Sequence, residues 1–318
     1  MSVPIDAPDP APAAKREPKQ QRRSTRVDVN GWVCLDKPVG LTSTQAVAQV
    51  KYLLNAKKAG HAGTLDPLAS GVLPIALGEA TKTVPIVQDG VKVYRFGVKW
   101  GEETDTDDAE GRVIATSDLR PDADAISALL PGFIGVIRQV PPIYSALKVA
   151  GERAYDLARE GVEVVLPARE IIVHRLDLLS SEPGLAMFEA ECGKGTYVRA
   201  IARDLGKLLG CYGHVVLLMR TRVGPFRRDA AVTLEELRET SGPSRAILPV
   251  EAGLAELPCI ALDRNGAAIL RQGQKLLLRG SGAPAEGLAY ASCFGAPIAF
   301  GAVEGGYFVS TRVFNLPG

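Results

Sequence analysis

One aspartate in this sequence stands where a carboxylate could do chemistry. Asp66 lies between Leu65 and Pro67 in Gly60-His-Ala-Gly-Thr-Leu-Asp-Pro-Leu-Ala-Ser-Gly71. Pro67 pushes Asp66 out of helical backbone space. It also suits the first position of a short helix, so Asp66 is expected as an N-cap. A structural cap is therefore the plain alternative to a chemical role, because caps and turns are where aspartate normally goes. Two features favour chemistry. His61, Thr64 and Asp66 crowd polar groups into a glycine-punctuated loop, and loops on a rigid scaffold are where reactive groups tend to sit. The following Val72-Leu-Pro-Ile-Ala-Leu77 is apolar enough to be a buried strand that anchors the loop. A carboxylate so placed can act as a nucleophile or stabilise a transient charged species.

One arginine is placed against local preference. Lys194-Gly-Thr-Tyr-Val-Arg199 runs into a helix whose apolar residues are Val198, Ile201, Ala202, Leu205, Leu208 and Leu209, with Thr196 as the expected N-cap. Arg199 falls near the start of that helix, where the dipole disfavours a cation. That placement suggests an anionic partner; an ordinary surface arginine is the alternative.

Composition narrows the classes. A chain of 318 residues with 46% hydrophobic content suits one large domain plus a small one. No run of 18 apolar residues exists, so no membrane span is expected, and the N-terminus lacks the apolar centre of a signal peptide. The five cysteines are scattered without a C-x-x-C, as in a reducing cytoplasm. The three histidines form no ligand-like pair, which argues against a metal enzyme. Net charge is only +1, but it is segregated: residues 194–228 hold eight Lys/Arg against one acid, and residues 102–110 hold six acids and no base. A basic stretch of this kind is a footprint for a polyanion or, as plainly, a solvated helix face.

The remaining elements follow in chain order. Residues 1–29 are rich in Pro, Ala, Lys and Arg and are read as a disordered tail. Trp32–Leu35 reads as a strand, and Thr42/Ser43 cap a helix with Ala46, Val47, Val50, Leu53 and Leu54 at helical spacing. Val91–Trp100 alternates as a strand carrying Tyr94, for which cross-strand packing is the ordinary role. The acidic loop Gly101–Gly111 fails the calcium-loop template and is read as solvated. A helix and turn are expected over 118–135, a helix over 153–160, and two strands at Glu170–Leu179 and Ala186–Cys192. Val215–Leu218 is a further strand, and short β-like runs between Gly-rich turns follow from about Glu251.

Over residues 31–228 the motifs resemble the TruB-type tRNA pseudouridine synthases. The carrying residues are Leu35-Asp-Lys-Pro-Val-Gly40 with Thr42-Ser43, Gly60-His through Asp66-Pro to Gly71, Tyr94-Arg95, Gln139-Val-Pro-Pro-Ile-Tyr-Ser-Ala-Leu-Lys148 and Lys194-Gly-Thr-Tyr-Val-Arg199. The resemblance implies an α+β fold: a mixed sheet with flanking helices over residues 30–252, and a small C-terminal β domain of PUA-like type over 253–318. It implies that Asp66 is the catalytic aspartate and that Arg199 is its ion-pair partner. Tyr94 then stacks on a flipped base, Tyr197 lines the uridine pocket, His61 fills space near the flipped nucleotide and Leu218 contacts the base. Lys37 and Pro38 support the floor of the site. Met219 departs from the family, which usually has arginine there, so one phosphate contact is missing.

The implied reaction converts the uridine of the TΨC loop of tRNA to pseudouridine. It needs no cofactor and no metal, because an N-glycosidic bond is exchanged for a C-glycosidic one without redox chemistry. The implied partner is the T-arm stem-loop of tRNA, and the implied protein is a cytoplasmic monomer. Two other classes stay open. A non-catalytic RNA-binding module would leave Asp66 dispensable. A hydrolase with an aspartate nucleophile would want a second acid, for which Glu79 is the candidate within the motif.

Overall fold

The computed structural model describes residues 26–145, 147–149, 152–153, 165–239, 246–278 and 284–316. Most of the tail read over 1–29 and all but the start of the helix read over 153–160 lie outside them. The last tail residues are ordered against the body: Val27 donates to the Asn55 carbonyl at 2.8 Å, and Lys57 returns a bond to the Val27 carbonyl at 3.0 Å.

The chain runs β1 (Gly31–Lys37), α1 (Ser43–Leu53), β2 (Ala59–His61), β3 (Ser70–Leu77), α2 (Val84–Asp89), β4 (Lys92–Trp100), β5 (Glu102–Thr104), β6 (Val113–Thr116), α3 (Ala123–Leu129) and β7 (Gly135–Gln139). Two short strands, β8 (Lys148–Val149) and β9 (Glu152–Arg153), precede the long hairpin of β10 (Arg169–Glu182) and β11 (Leu185–Cys192). Then come α4 (Val198–Leu208), β12 (Gly213–Val223), β13 (Phe226–Arg227) and α5 (Leu234–Glu239). A second unit holds β14 (Cys259–Leu262), α6 (Arg264–Arg271), β15 (Leu276–Leu277), β16 (Gly287–Cys293), β17 (Ala296–Glu304) and β18 (Tyr307–Val313).

The first unit is a nine-stranded sheet in the order β1-β3-β12-β4-β11-β10-β7, with β2 beside β3 and β13 beside β12. All its pairings are antiparallel except β3 with β12. β3 is apolar throughout because both of its faces are covered. Leu73, Ile75 and Leu77 enter the main core with Phe96, Phe188, Ile201 and Leu205. Val72 and Ala76 face a second cluster with Trp32, Val223, Phe226, Val250 and Leu254.

The second unit is a five-stranded sheet, β14-β16-β17-β18-β15, with its own core of Ile260, Leu270, Ala291, Ile298 and Phe308. Phe300 and Phe314 leave that core and join the cluster around Trp32. Polar contacts close the same seam. Lys82 donates to the Val313 carbonyl at 2.8 Å, and the Asn315 amide donates to Glu79 at 2.6 Å. Glu79 is therefore a seam residue tied to Lys82 and the C-terminal strand. A 3-10 helix at Val250–Leu254 spans the expected boundary at 252/253 and packs against β1.

Candidate active site

The gap that holds Asp66 is made by strand pairing. β3 pairs with β12 only at Ser70 and Gly71, and with β2 only from Ile75 onward. The chain between β2 and β3 fills the space left between those two neighbours. Arg220 of β12, 1% exposed, reaches into it and donates to the carbonyls of Val72 (2.8 Å), Thr64 (3.1 Å) and Gly63 (3.1 Å). Gly71 is needed where β3 meets β12: its φ is +103°, and a Cβ there would overlap the Arg220 backbone.

Two further ties fix the loop. The buried Ser43 hydroxyl accepts from the Leu65 amide at 2.8 Å and donates to the Leu65 carbonyl at 2.9 Å. Gly40 donates to the Pro67 carbonyl at 2.8 Å. The expected short helix after Pro67 does not form. Asp66 opens a tight turn instead, with the Ala69 amide bonded to the Asp66 carbonyl at 3.1 Å. Proline at the second position of such a turn fits as well as at a helix start. Asp66 is therefore no helix cap, and its carboxylate is committed elsewhere.

That commitment is to Arg199, whose Nη2 lies 3.0 Å from Asp66 Oδ2. Arg199 sits on the first turn of α4 and is almost fully buried, while Asp66 is 34% exposed, so the pair opens to solvent on the carboxylate side. Arg199 also meets Asp108 at 3.1 Å and donates to the carbonyls of Thr106 (3.1 Å) and Tyr144 (3.0 Å). One guanidinium thus joins three segments. Its fork matches separate acceptors in a way a point charge cannot.

The acidic loop corrects the solvated reading. Asp107 and Asp108 are buried, and the φ of Asp107 is +62°. Asp107 pairs with Arg203, one turn beyond Arg199, at 3.0 Å, and Arg203 also donates to the Val140 carbonyl at 2.8 Å. Burial pushes the Asp107 carboxyl up to about 6 against the pull of Arg203 and Arg199. Glu110 is raised too, by burial first and then by the negative charges of Asp108 and Asp66. Glu110 in this loop thus feels the charge of Asp66, a coupling that sequence reasoning missed although its residues were in view.

Two tyrosines feel the charge of the carboxylate. Tyr94 on β4 stands opposite Arg220 on β12, and Phe96 stands opposite Leu218, so these four share one face of the sheet. Tyr94 is half-buried. Burial raises its phenol pKa, Arg220 opposes that, and the charge of Asp66 adds to it. Leu218 is buried in the main core beneath this face. Tyr197 is the N-cap residue of α4, in place of the expected Thr196, and makes no side-chain cap bond. Gln139 holds it: the Tyr197 amide donates to the Gln139 carboxamide at 2.9 Å, and that carboxamide donates to the Tyr197 carbonyl at 3.1 Å. Burial raises the Tyr197 phenol as well, with Ser145, Asp66 and Arg199 beside it. His61 is half-buried on β2, and burial followed by Arg220 lowers its pKa.

Lys37 of β1 also feels the Asp66 carboxylate. It is fully buried and donates to the carbonyls of Pro38 and Leu41, both at 2.8 Å. Burial brings its pKa down to about 8, with Asp66 pulling the other way. The charge of Asp66 is thus felt at Tyr94, Tyr197 and Lys37, Arg199 pairs with it directly, and Arg220 influences both Tyr94 and His61. The arrangement can present an oriented carboxylate beside two aromatic rings, which suits a planar ring substrate. Among the described residues, no three His, Cys, Asp or Glu side chains cluster as metal ligands, and no helix is long and apolar enough to cross a membrane.

Comparison with known proteins agrees with this architecture. The family model described as TruB family pseudouridylate synthase (N terminal domain) matches residues 51–198, and that of the tRNA pseudouridylate synthase B C-terminal domain matches residues 199–255. A protein of Nitrobacter winogradskyi named tRNA pseudouridine synthase B is 57% identical over 97% of this chain and 89% of its own length. Its namesake from Bradyrhizobium diazoefficiens is also 57% identical, over 96% of this chain and 92% of its own length. Among solved structures, a chain of a Cbf5-Nop10-Gar1 complex superposes with a TM-score of 0.69 at 26% identity, covering 90% of this chain and 84% of its own. A chain of an H/ACA RNP bound to a substrate RNA shares the fold with a TM-score of 0.70 at 24% identity, covering 94% of this chain and 93% of its own.

Proposed function

The chain belongs to the TruB family of pseudouridine synthases, isomerases that act on tRNA, and from that premise we propose that its target is one uridine in the T-loop of the TΨC arm. The target base leaves its stack to reach the site, as chemistry on a base inside folded RNA requires. Asp66 is the catalytic carboxylate. The N1–C1′ bond breaks, the base turns, a C5–C1′ bond forms, the C5 proton departs to solvent and N1 takes up a proton from it. Atoms balance without any added group.

The Arg199–Asp66 pair carries this reading. At 3.0 Å it aims a half-open carboxylate from a buried arginine, and its charge reaches Tyr94 and Tyr197. Tyr94 offers a ring for the extruded base, Tyr197 and Leu218 border it, and His61 fills space near the flipped nucleotide. RNA is the partner, with the single-stranded loop as the recognised element. No cofactor takes part, the protein acts as a cytoplasmic monomer, and residues 253–318 serve as a second RNA-binding unit.

Incubation with an unmodified tRNA transcript, followed by pseudouridine mapping, tests the target. One modified position in the T-loop is expected, and modification elsewhere with the T-loop untouched overturns the assignment. Asp66→Asn tests the carboxylate. Product should fall below detection, about 1,000-fold or more, while melting temperature and tRNA affinity stay near wild type. Near wild-type turnover in a folded, tRNA-binding Asp66→Asn would sink the catalytic reading.

A further inference from the structure

The basic stretch 194–228 looks like the RNA footprint, yet its cations are already engaged. Lys194 pairs with Asp89, Arg199 with Asp66 and Asp108, Arg203 with Asp107 and Asp204, and Lys207 with Glu103. Arg220 is spent on carbonyls, and Arg222, Arg227 and Arg228 pair with Glu256, Asp229 and Asp36. A phosphate beside the extruded nucleotide needs a cation from elsewhere.

One cation at the mouth of the site is free for it. Arg169 opens β10 and lies directly opposite Gln139 of β7 in the antiparallel register. Directly opposed residues project from the same face. Gln139 turns inward on that face and grips the backbone of Tyr197. Arg169 is exposed and forms no ion pair with any carboxylate among the described residues. After burial, Ser145, Asp66 and Arg199, its charge is the next influence on the Tyr197 phenol. The register therefore sets an exposed Arg169 across from the residue that holds Tyr197, and its charge reaches that phenol.

We propose that Arg169 is a phosphate-binding residue at the mouth of the Asp66 site, contacting the RNA backbone next to the extruded uridine. This rests on the T-loop reading above. A guanidinium offers a bidentate fork to a phosphate and is weakly hydrated, so it suits an exposed, shape-specific contact. Met219 fits the same picture. It lies half-buried on β12 opposite Arg95, on the face of the sheet away from Tyr94, and supplies no charge, so a backbone cation has to come from another element. Arg169 is a positioning residue and touches none of the atoms that react.

The test uses the full chain, an unmodified tRNA transcript and T-arm hairpins in which one phosphate next to the target is replaced by a neutral methylphosphonate. Arg169→Ala should weaken tRNA binding about five-fold at moderate salt, the size of one exposed charge contact. It should reduce the slope of log affinity against log salt by about one. The single-turnover rate at saturating enzyme should stay within about two-fold of wild type, and Arg169→Lys should recover most of the affinity. One of the methylphosphonate hairpins should lose affinity for wild type and none further for Arg169→Ala. A wild-type salt slope in Arg169→Ala overturns the proposal, as does an equal methylphosphonate penalty in both proteins. So does a loss of saturating rate at unchanged affinity. If wild type itself leaves the T-loop unmodified, the failure belongs to the target assignment, because the Arg169 comparison by binding still reads out.

Discussion

Two regions of this molecule are rich in cations, and they use them in opposite ways. Around α4 and β12 every cation of residues 194–228 has an acceptor within the protein. In the second unit, Arg264, Arg271, Lys275 and Arg312 meet no carboxylate among the described residues. Two of them lie over aromatic rings instead: Arg264 over Phe294 at 5.6 Å and Lys275 over Tyr307 at 4.4 Å. The first region uses positive charge to hold a site together. The second leaves it available. Charge density along a sequence therefore says where cations are and nothing about whether a partner can have them.

The largest effect should come from breaking the first region at its centre. Arg199→Lys keeps the charge but cannot reach Asp66, Asp108 and the Thr106 and Tyr144 carbonyls together. We expect single-turnover activity to fall by about 100-fold or more with the protein still folded. Arg199→Ala should in addition destabilise by about 3–5 kcal/mol, because it strands the buried Asp108 without its partner. Single-turnover pseudouridine formation and thermal melts on the same preparations measure both. A fully active Arg199→Lys would show that one point charge suffices and that the joined segments are incidental.

A smaller effect separates the two regions directly. Arg264, Arg271, Lys275 and Arg312 changed together to Gln should weaken tRNA binding about ten-fold or more and lower the salt slope by about three. Saturating single-turnover rates should not change. The matching set Arg222, Arg227 and Arg228 changed to Gln should alter the slope by less than about one. A phosphate there must displace a carboxylate already held at 3.0, 3.3 or 3.1 Å. Equal slopes for the two sets would erase the contrast. Charge neutralisation is a cleaner probe than deletion of the second unit, since deletion would bare Trp32, Val250 and Leu254 at the seam.

What could be read from sequence divides along the same line. The strands, the capped helix after Thr42 and the division into a large and a small sheet follow local periodicity and turn residues, and all are present. Thr42 even forms a full capping box with Gln45. The pairing of Asp66 with Arg199 was reached through the family resemblance. No local pattern links residues 133 positions apart. Local rules failed where long-range partners decide. Asp66 became a turn residue because Ser43, Gly40 and Arg220 fix the loop around it. Tyr197 took the N-cap from Thr196 because Gln139, 58 residues away, binds its backbone. The acidic loop looked solvated because its arginines lie on α4, over 90 residues later.

The smallest effect tests whether both arginines of α4 matter alike. Asp107 faces Arg203, Arg199 and Lys207, all on α4, and its carboxyl is nevertheless pushed from 3.8 up to about 6 by burial. A folded-state value above the unfolded one means the folded protein holds the proton longer. Stability from this group is then full below about pH 4 and is lost as pH rises to about 6, by something on the order of 3 kcal/mol. Asp107→Asn removes that titration. Asparagine tolerates the positive φ of +62°, and Arg203 keeps Asp204 at 2.8 Å as a partner. The stability difference between Asp107→Asn and wild type should therefore shift in the variant's favour between pH 4 and 6 and then level off. Activity near pH 7 should change by less than about three-fold, since Arg199, Asp108 and Asp66 remain paired. Urea melts of both proteins across pH 4 to 7 decide it. Parallel stability profiles would mean that Arg203 and its neighbours cancel the burial cost.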